Sequence, residues 1–84
     1  MLDLQLVVSD RPDVPQRIMA TCCRRQGAVL ALTFERGGPD GTAGLDLTVD
    51  VDDRLRRGLI DRIAGLVDVH DVWVRPPVAL VSAG

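Results

Sequence analysis

A short charged segment near the start of the chain has the residue types to bind a small polar molecule. Residues 9–18 have the sequence SDRPDVPQRI, which places Asp10, Arg11 and Asp13 within four positions. An alternating apolar segment precedes them and a helical apolar pattern follows. The start of a helix offers free backbone N–H groups and a partial positive charge, which suit a carboxylate. An ammonium group suits Asp10 or Asp13, and a carboxylate suits Arg11, so this corner is a candidate site for a zwitterion.

The same residues also have a purely structural interpretation. Asp13 with Gln16 three residues later resembles a helix-capping pair, and Pro15 is tolerated in the first turn of a helix. If the Asp13 carboxylate caps the helix, an incoming carboxylate loses that position and meets a like charge. Residue chemistry alone leaves both interpretations open.

Other reactive residues have simpler explanations. The chain has no Ser–His–Asp or Cys–His spacing, and its one histidine, His70, lies in a predicted edge strand, so we predict that it is not an enzyme. Asp50, Asp52 and Asp53 have the oxygen ligands that a hard cation prefers. Helix capping already explains Asp52 and Asp53, so we predict no metal site. We also predict no cofactor.

Two further motifs also indicate structure more than chemistry. Cys22 and Cys23 are adjacent, which fits neither a disulfide framework nor a CxxC site, and indicates packing of small apolar side chains in a helix. The glycine-rich sequence RGGPDGTAG lacks the Lys-Ser/Thr of a phosphate-binding loop and is predicted to connect two strands.

Length, charge and composition exclude several classes of protein. A chain of 84 residues forms one domain. The net charge of −2, with one Trp, one Phe and no Tyr, argues against nucleic-acid binding. No signal peptide is recognisable, and no apolar segment approaches the roughly 20 residues of a membrane span. A cytoplasmic domain that contacts no membrane is therefore expected.

Apolar periodicity predicts six elements. Strands are expected at residues 3–9, 28–36, 45–51 and 69–74, where side chains of the two faces alternate along the sequence. A helix with Val14, Ile18 and Cys22 on one face, and Met19 and Cys23 beside them, is expected to end at Gly27 in a left-handed conformation. Asp52 or Asp53 is expected to cap a second helix. Its apolar stripe contains Leu55, Leu59, Ile60, Ile63 and Leu66. In the second strand, Leu30, Leu32 and Phe34 are expected to share one face.

Two successive strand–helix–strand units predict an α+β fold, the ferredoxin-like βαββαβ sandwich. Its four-stranded antiparallel sheet has two helices on one face, with the first and third strands central. The second strand then has an apolar, uncharged edge, and we predict a homodimer in which two such edges pair. The domain is expected to cover residues 1–75. Residues 76–84 form a C-terminal tail, in which Val78, Leu80 and Val81 are expected to pack on the domain or on a neighbouring chain.

The sequence also resembles a known family. SDRPDVPQRIMATCCRRQGAVLALTF (residues 9–34), followed by LDLTVDVDD and LVDVHDVWV, is similar to ACT domains, and most similar to those of acetolactate synthase small regulatory subunits. The similarity extends from Leu4 to Val74. It implies a ferredoxin-like fold that pairs through its sheet and binds an amino acid beside the first strand–helix corner. The implied ligand residues are Asp10, Arg11, Pro12, Asp13, Val14 and Val29.

The resemblance further implies a function. The chain would be a non-catalytic regulatory subunit that binds and modulates an acetolactate-synthase-like catalytic subunit in branched-chain amino acid biosynthesis, with a branched-chain amino acid as a ligand in many relatives. That catalytic subunit uses thiamine diphosphate. The alternative is a free-standing amino-acid-sensing ACT module that regulates another enzyme or regulator.

Two departures from the family pattern concern the ligand site. Asp13 replaces the usual glycine and Pro15 the usual leucine, while Val29 occupies the position of an amide that binds the amino acid in relatives. We therefore expect Asp13 to cap the first helix and the corner to be a poor receptor for valine. With a single ACT module, the sequence is most similar to short small subunits, some of which are insensitive to valine.

Overall fold

The computed structural model describes residues 1–76. The strands are β1 (Leu2–Ser9), β2 (Ala28–Glu35), β3 (Thr42–Asp50) and β4 (Val69–Arg75), and the helices are α1 (Val14–Arg24) and α2 (Arg56–Ala64). Short 3-10 turns at Pro39–Gly41 and Asp53–Leu55 precede β3 and α2 respectively. The expectation that Val78, Leu80 and Val81 pack on the domain falls outside the described residues.

The four strands form one antiparallel sheet in the order β2-β3-β1-β4. This order confirms the ferredoxin-like βαββαβ fold with β1 and β3 in the centre. Leu2 pairs with Val49 at one end of the β1–β3 ladder, and Ser9 pairs with Thr42 at the other. The charged corner therefore lies at the end of the sheet where β1 finishes and β3 begins. Within residues 1–76, no helix is long and apolar enough to span a membrane.

The core lies between the sheet and the two helices. Alternate side chains of the central strands point toward the helices because successive residues of a strand face opposite sides. The residues buried there are Leu2, Leu4, Leu6 and Val8 of β1 and Ala43, Leu45, Leu47 and Val49 of β3, which meet Val14, Ile18 and Cys22 of α1 and Leu59 and Ile63 of α2. The predicted stripe on the second helix is confirmed, with Leu55, Ile60 and Leu66 half-buried at its margin.

The second strand differs from its prediction because it contains a β-bulge. Val29 pairs with Val49 and Ala31 with Thr48, so Leu30 is an extra residue with no partner of its own. The bulge shifts the alternation by one position. Leu30 is 54% exposed, whereas Val29, Leu32 and Phe34 pack against the core. The prediction that Leu30 shares a face with Leu32 and Phe34 is therefore wrong.

The end of α1 also differs in detail. The residue with a left-handed backbone is Gln26, at φ 63°, and not Gly27. Gly27 is required for a different reason, since a Cβ atom there would lie 2.8 Å from the Cγ1 atom of Val49. Of the neighbouring cysteines, Cys22 is buried as predicted, but Cys23 is exposed and does not pack in the core.

The start of α2 follows the sequence prediction. Asp52 accepts a hydrogen bond from the backbone N–H of Arg54 at 2.9 Å and so caps the 3-10 turn that leads into α2. This bond and the bond from the Arg54 side chain lower the pKa of Asp52. Asp52 is thus committed to the helix start, as the capping interpretation predicted.

Candidate functional site

The corner between β1 and α1 (residues 9–14) is fixed by the carboxylate of Asp10. This carboxylate accepts hydrogen bonds from the Nε of Arg36 at 2.6 Å and from the backbone N–H of Gly37 at 3.2 Å. The same two bonds, that of Arg36 first, lower the pKa of Asp10. The backbone N–H of Asp10 donates to the carbonyl of Gly41 at 2.9 Å. Asp10 therefore ties the corner to the connection between β2 and β3.

Asp13 occupies the N-cap position of α1, but its side chain caps no backbone N–H group. The predicted side-chain cap is thus wrong. Asp13 has a helical backbone, φ −87° and ψ −7°, whereas capping residues are extended. Moreover, Pro15 occupies one of the two positions whose N–H a cap would accept, and proline has no N–H. The carboxylate instead pairs with Arg17 at 3.1 Å and with Arg11 at 3.5 Å.

Backbone hydrogen bonds hold the corner against the start of β4. The N–H of Arg11 donates to the carbonyl of Ser9 at 2.8 Å, and the N–H of Val14 donates to the carbonyl of Arg11 at 3.2 Å. The N–H of Ser9 donates to the carbonyl of Asp68, whose carboxylate accepts from the Nη1 of Arg17 at 3.3 Å. Arg17 therefore bridges Asp13 and Asp68. Together with the backbone bond from Ser9 to Asp68, this bridge holds the corner to the residue that precedes β4.

The ionic network at the corner is electrically balanced. It contains three carboxylates, Asp10, Asp13 and Asp68, and three guanidinium groups, Arg11, Arg17 and Arg36. Each carboxylate has at least one cationic partner. The charged groups of a zwitterion would compete with these ion pairs, because every charged group of the network already has a partner.

The predicted ligand residues do not all meet. Asp10, Arg11, Pro12 and Asp13 lie together at the surface of the corner, although Asp10 and Asp13 are only partly exposed. Val14 is 1% exposed and belongs to the core.

Val29 lies at the opposite end of the sheet from the corner. It pairs with Val49, which in turn pairs with Leu2, whereas the corner follows Ser9. Leu2 and Ser9 are seven residues apart on β1, and at about 3.3 Å per strand residue this places Val29 about 23 Å from the corner. Within one chain, therefore, Val29 contributes nothing to the corner.

The surroundings of the remaining candidate residues indicate no chemical role for them. His70 lies on β4, as expected, and its Nε2 is 3.1 Å from the hydroxyl of Ser9. Within residues 1–76, no three or more His, Cys, Asp or Glu side chains, Asp50, Asp52 and Asp53 included, come together as a group that could hold a metal ion. Burial, with a smaller contribution from the neighbouring Cys23, raises the pKa of Cys22 to about 11, so Cys22 is not a reactive thiol at neutral pH.

Three members of the corner, Arg17, Arg36 and Asp68, were not predicted from the sequence. Arg17 lies four residues after Asp13, a spacing that favours an ion pair in a helix, so its role was accessible from the sequence. Arg36 and Asp68 are distant in the chain and reach the corner only through the pairing of the strands.

Comparison with solved structures supports the ferredoxin-like fold. No protein-family model matches the chain, and no curated protein matches it. Among solved structures, the chain is similar to the acetolactate synthase small subunit from Thermotoga maritima, with a TM-score of 0.77 and 20% identity, over 93% of this chain and 48% of that one. This chain therefore spans about half of that subunit.

Two other solved structures are similar over most of both chains. The ACT domain from GTP pyrophosphokinase of Chlorobium tepidum matches with a TM-score of 0.70 and 15% identity, over 88% of this chain and 95% of that one. The C-terminal domain of the MgtC protein from Mycobacterium tuberculosis matches with a TM-score of 0.61 and 15% identity, over 89% and 86%. These similarities establish the fold, which is the fold of ACT domains.

Proposed function

We propose that the chain is a cytoplasmic, non-catalytic regulatory subunit of the ACT type, which binds and modulates an acetolactate-synthase-like catalytic subunit in branched-chain amino acid biosynthesis. The observation that carries this proposal is the structural similarity to an acetolactate synthase small subunit over 93% of the chain. The residue pattern DRP before α1 and RRQG after it, which first indicated that family, supports the same assignment.

The proposal is tested by co-expressing the chain with the acetolactate synthase catalytic subunit encoded in the same genome. We expect the two to copurify and the rate of acetolactate formation to differ from that of the catalytic subunit alone. An acetolactate synthase that neither retains the chain nor changes its rate when the chain is added in excess would contradict the proposal.

A second candidate function is a free-standing ACT module that regulates another enzyme. The similarity to the ACT domain from GTP pyrophosphokinase favours it, since that domain is matched over 95% of its length. Copurification of the chain from its own organism distinguishes the two candidates. Recovery of a different enzyme, whose activity the chain changes, would support this second function.

We also propose a homodimer formed by antiparallel pairing of two β2 edges. The sheet order leaves β2 and β4 as its edges. β4 contains the charged residues Asp71 and Arg75, which discourage pairing, whereas β2 has the uncharged sequence AVLALTF before Glu35. Antiparallel pairing would bring the partner's Val29 toward the end of β2 that lies beside Arg36 and the corner, so one site would combine residues of two chains.

Light scattering on two matched variants tests the dimer. Leu30→Lys adds a charge to the β2 edge, and Val74→Lys adds one to the β4 edge, where Val74 is 45% exposed. We expect a dimeric wild type, a monomeric Leu30→Lys variant and a dimeric Val74→Lys variant. A monomeric wild type contradicts the dimer, and the reverse pattern assigns the contact to β4.

The closed network at the corner predicts weak binding of free amino acids. Because the Asp13 carboxylate is held by Arg11 and Arg17, calorimetry of the wild type with valine should show no binding below millimolar concentrations. Asp13→Gly removes the carboxylate, which frees Arg11 and leaves Arg17 paired only with Asp68, so any gain in affinity should appear in this variant. Tight binding by the wild type would show that the ion pairs yield to the ligand.

A further inference from the structure

Half of the arginines lie on the helical layer and have no carboxylate partner among residues 1–76. The chain has ten arginines. Within residues 1–76, five of them form ion pairs with aspartates, namely Arg11, Arg17, Arg36, Arg54 and Arg75. The other five form none in that range, and all lie on α1, on α2 or at the residue after α1. These residues, here called the arginine surface, are Arg24, Arg25, Arg56, Arg57 and Arg62.

Few negative charges accompany this surface. α1 contains no acidic residue, and α2 contains only Asp61. At the start of α2, Asp52 is already bound to Arg54, which leaves Asp53 and, at the end of β3, Asp50 as further carboxylates. Although the whole chain is negative, its two helices carry a surplus of positive charge.

The stability of the fold does not account for this arrangement. Arg56 and Arg57 occupy the first turn of α2, where the helix dipole is positive and disfavours cations. Arg25 brings a third positive charge to the same place, since its Nη1 lies 3.7 Å from the position that a Cβ atom of Gly58 would occupy. Asp53, three and four residues before Arg56 and Arg57, offsets only part of this positive charge. A role in binding would account for the remainder.

The arginine surface continues into an open groove between the helices. The groove has a volume of about 250 Å³ and is lined by Thr21, Arg24, Asp61, Arg62, Gly65 and Leu66. Two guanidinium groups face one carboxylate there, so the groove keeps a positive surplus. Cys23, next to Arg24 in sequence, is exposed, and so is Met19, five residues before Arg24. Arginine and methionine are both enriched in protein–protein interfaces.

We propose that the arginine surface docks on an acidic surface of a partner protein. This inference rests on the proposed function, and it assigns the partner as the acetolactate-synthase-like catalytic subunit. Guanidinium groups bind carboxylates in a bidentate manner, which favours aspartate and glutamate side chains as their partners.

Nucleic acid fits the arginine surface less well than an acidic protein does. The surface has no aromatic side chain on which a base could stack, since Trp73 lies on β4 and Phe34 packs against the core. The net charge of −2 also opposes long-range attraction to a polyanion.

Two double variants with equal loss of charge test the proposal. Arg56→Gln with Arg57→Gln removes two charges from the arginine surface, and Arg54→Gln with Arg75→Gln removes two charges that are already paired with aspartates. Binding to the acetolactate synthase catalytic subunit of the same genome is measured at low and high salt. We expect about a tenfold or greater loss of affinity for the first variant, with a weaker salt dependence, and little change for the second. Equal losses in both variants, or no loss in the first, would overturn the proposal.

A second probe separates this inference from the proposed function. If the wild type does not bind the catalytic subunit, the proposed function fails, and the surface is tested with a fluorescent peptide of alternating glutamate and serine. Salt-sensitive binding that is lost only in the Arg56→Gln, Arg57→Gln variant supports an acidic protein partner of another kind. The inference is overturned if neither probe binds, or if a labelled single-stranded oligonucleotide binds more tightly than the peptide.

Discussion

Replacing Gly27 by alanine tests how closely the end of α1 approaches the sheet. The new Cβ atom would lie 2.8 Å from the Cγ1 of Val49 and 3.3 Å from the carbonyl oxygen of Cys22. Carbon atoms in ordinary contact are about 3.5–4.0 Å apart, so the first contact must lengthen by about 0.7 Å or more. Neither neighbour moves easily. Val49 is fully buried and branched at Cβ, and the Cys22 carbonyl accepts two backbone hydrogen bonds, from Arg25 and from Gly27.

The size of the effect follows from these contacts. Overpacking in a core costs about 1–3 kcal/mol, and alanine recovers about 0.4–1 kcal/mol by restricting the unfolded chain. We therefore expect Gly27→Ala to lower the free energy of unfolding by about 1–2 kcal/mol. For a domain of this size each kcal/mol corresponds to about 4–8 °C in Tm. Urea denaturation followed by circular dichroism measures the loss.

Two further variants show whether the contact with Val49 is the cause. Gly44→Ala is the matched control, because nothing lies within 4 Å of a Cβ atom at that exposed strand position. It should leave the stability unchanged or raise it by less than about 1 kcal/mol. Val49→Ala combined with Gly27→Ala should cost less than the sum of the two single changes. A Gly27→Ala protein as stable as the wild type would refute the packing described for the end of α1.

Three more outcomes are expected from individual side chains. The pKa of Asp10 is lowered in the folded state, so its stabilising effect is present above the ordinary value of 3.8 and is lost as the pH falls below it. The urea midpoint of Asp10→Asn should therefore fall less on acidification than that of the wild type. In the native protein at pH 8, a thiol reagent should modify exposed Cys23 rapidly and buried Cys22 only on unfolding, and Cys23→Ser should abolish the rapid phase. Ile18→Ala should lower the free energy of unfolding by about 2–5 kcal/mol in urea denaturation, because Ile18 is fully buried between α1 and the sheet.

The order and type of the elements could be predicted because each one has a clear apolar period. β1 and β3 alternate over their whole length, and α2 has an apolar stripe at helical spacing, so the sheet order followed from ordinary rules of chain connection. The bulge at Leu30 could not be predicted in this way. An alternating strand has the same sequence pattern with or without an extra residue, and the choice depends on how β2 fits against β3.

The sequence predicted that neighbouring charged residues meet at the candidate site, but not which hydrogen bonds and ion pairs they form. The sequence places Asp10, Arg11 and Asp13 close together, and the structure keeps them together. Whether Asp13 caps the helix depends on its backbone angles and on competition from Arg17, which are properties of the folded chain. The partner of Asp10 is 26 residues away in the sequence and became identifiable only once the strands were paired.

The bond between Asp10 and Arg36 joins the outer edge of the sheet to the start of α1. β2 ends at Glu35, so Arg36 is the next residue along the free edge, and its guanidinium holds the carboxylate at the other side of the corner. A chain that pairs with the β2 edge would restrict Arg36, and a molecule that displaces Arg36 from Asp10 would loosen that edge. If the proposed dimer forms and a ligand enters the corner, both events would involve the ion pair between Asp10 and Arg36, and each would alter the free energy of the other.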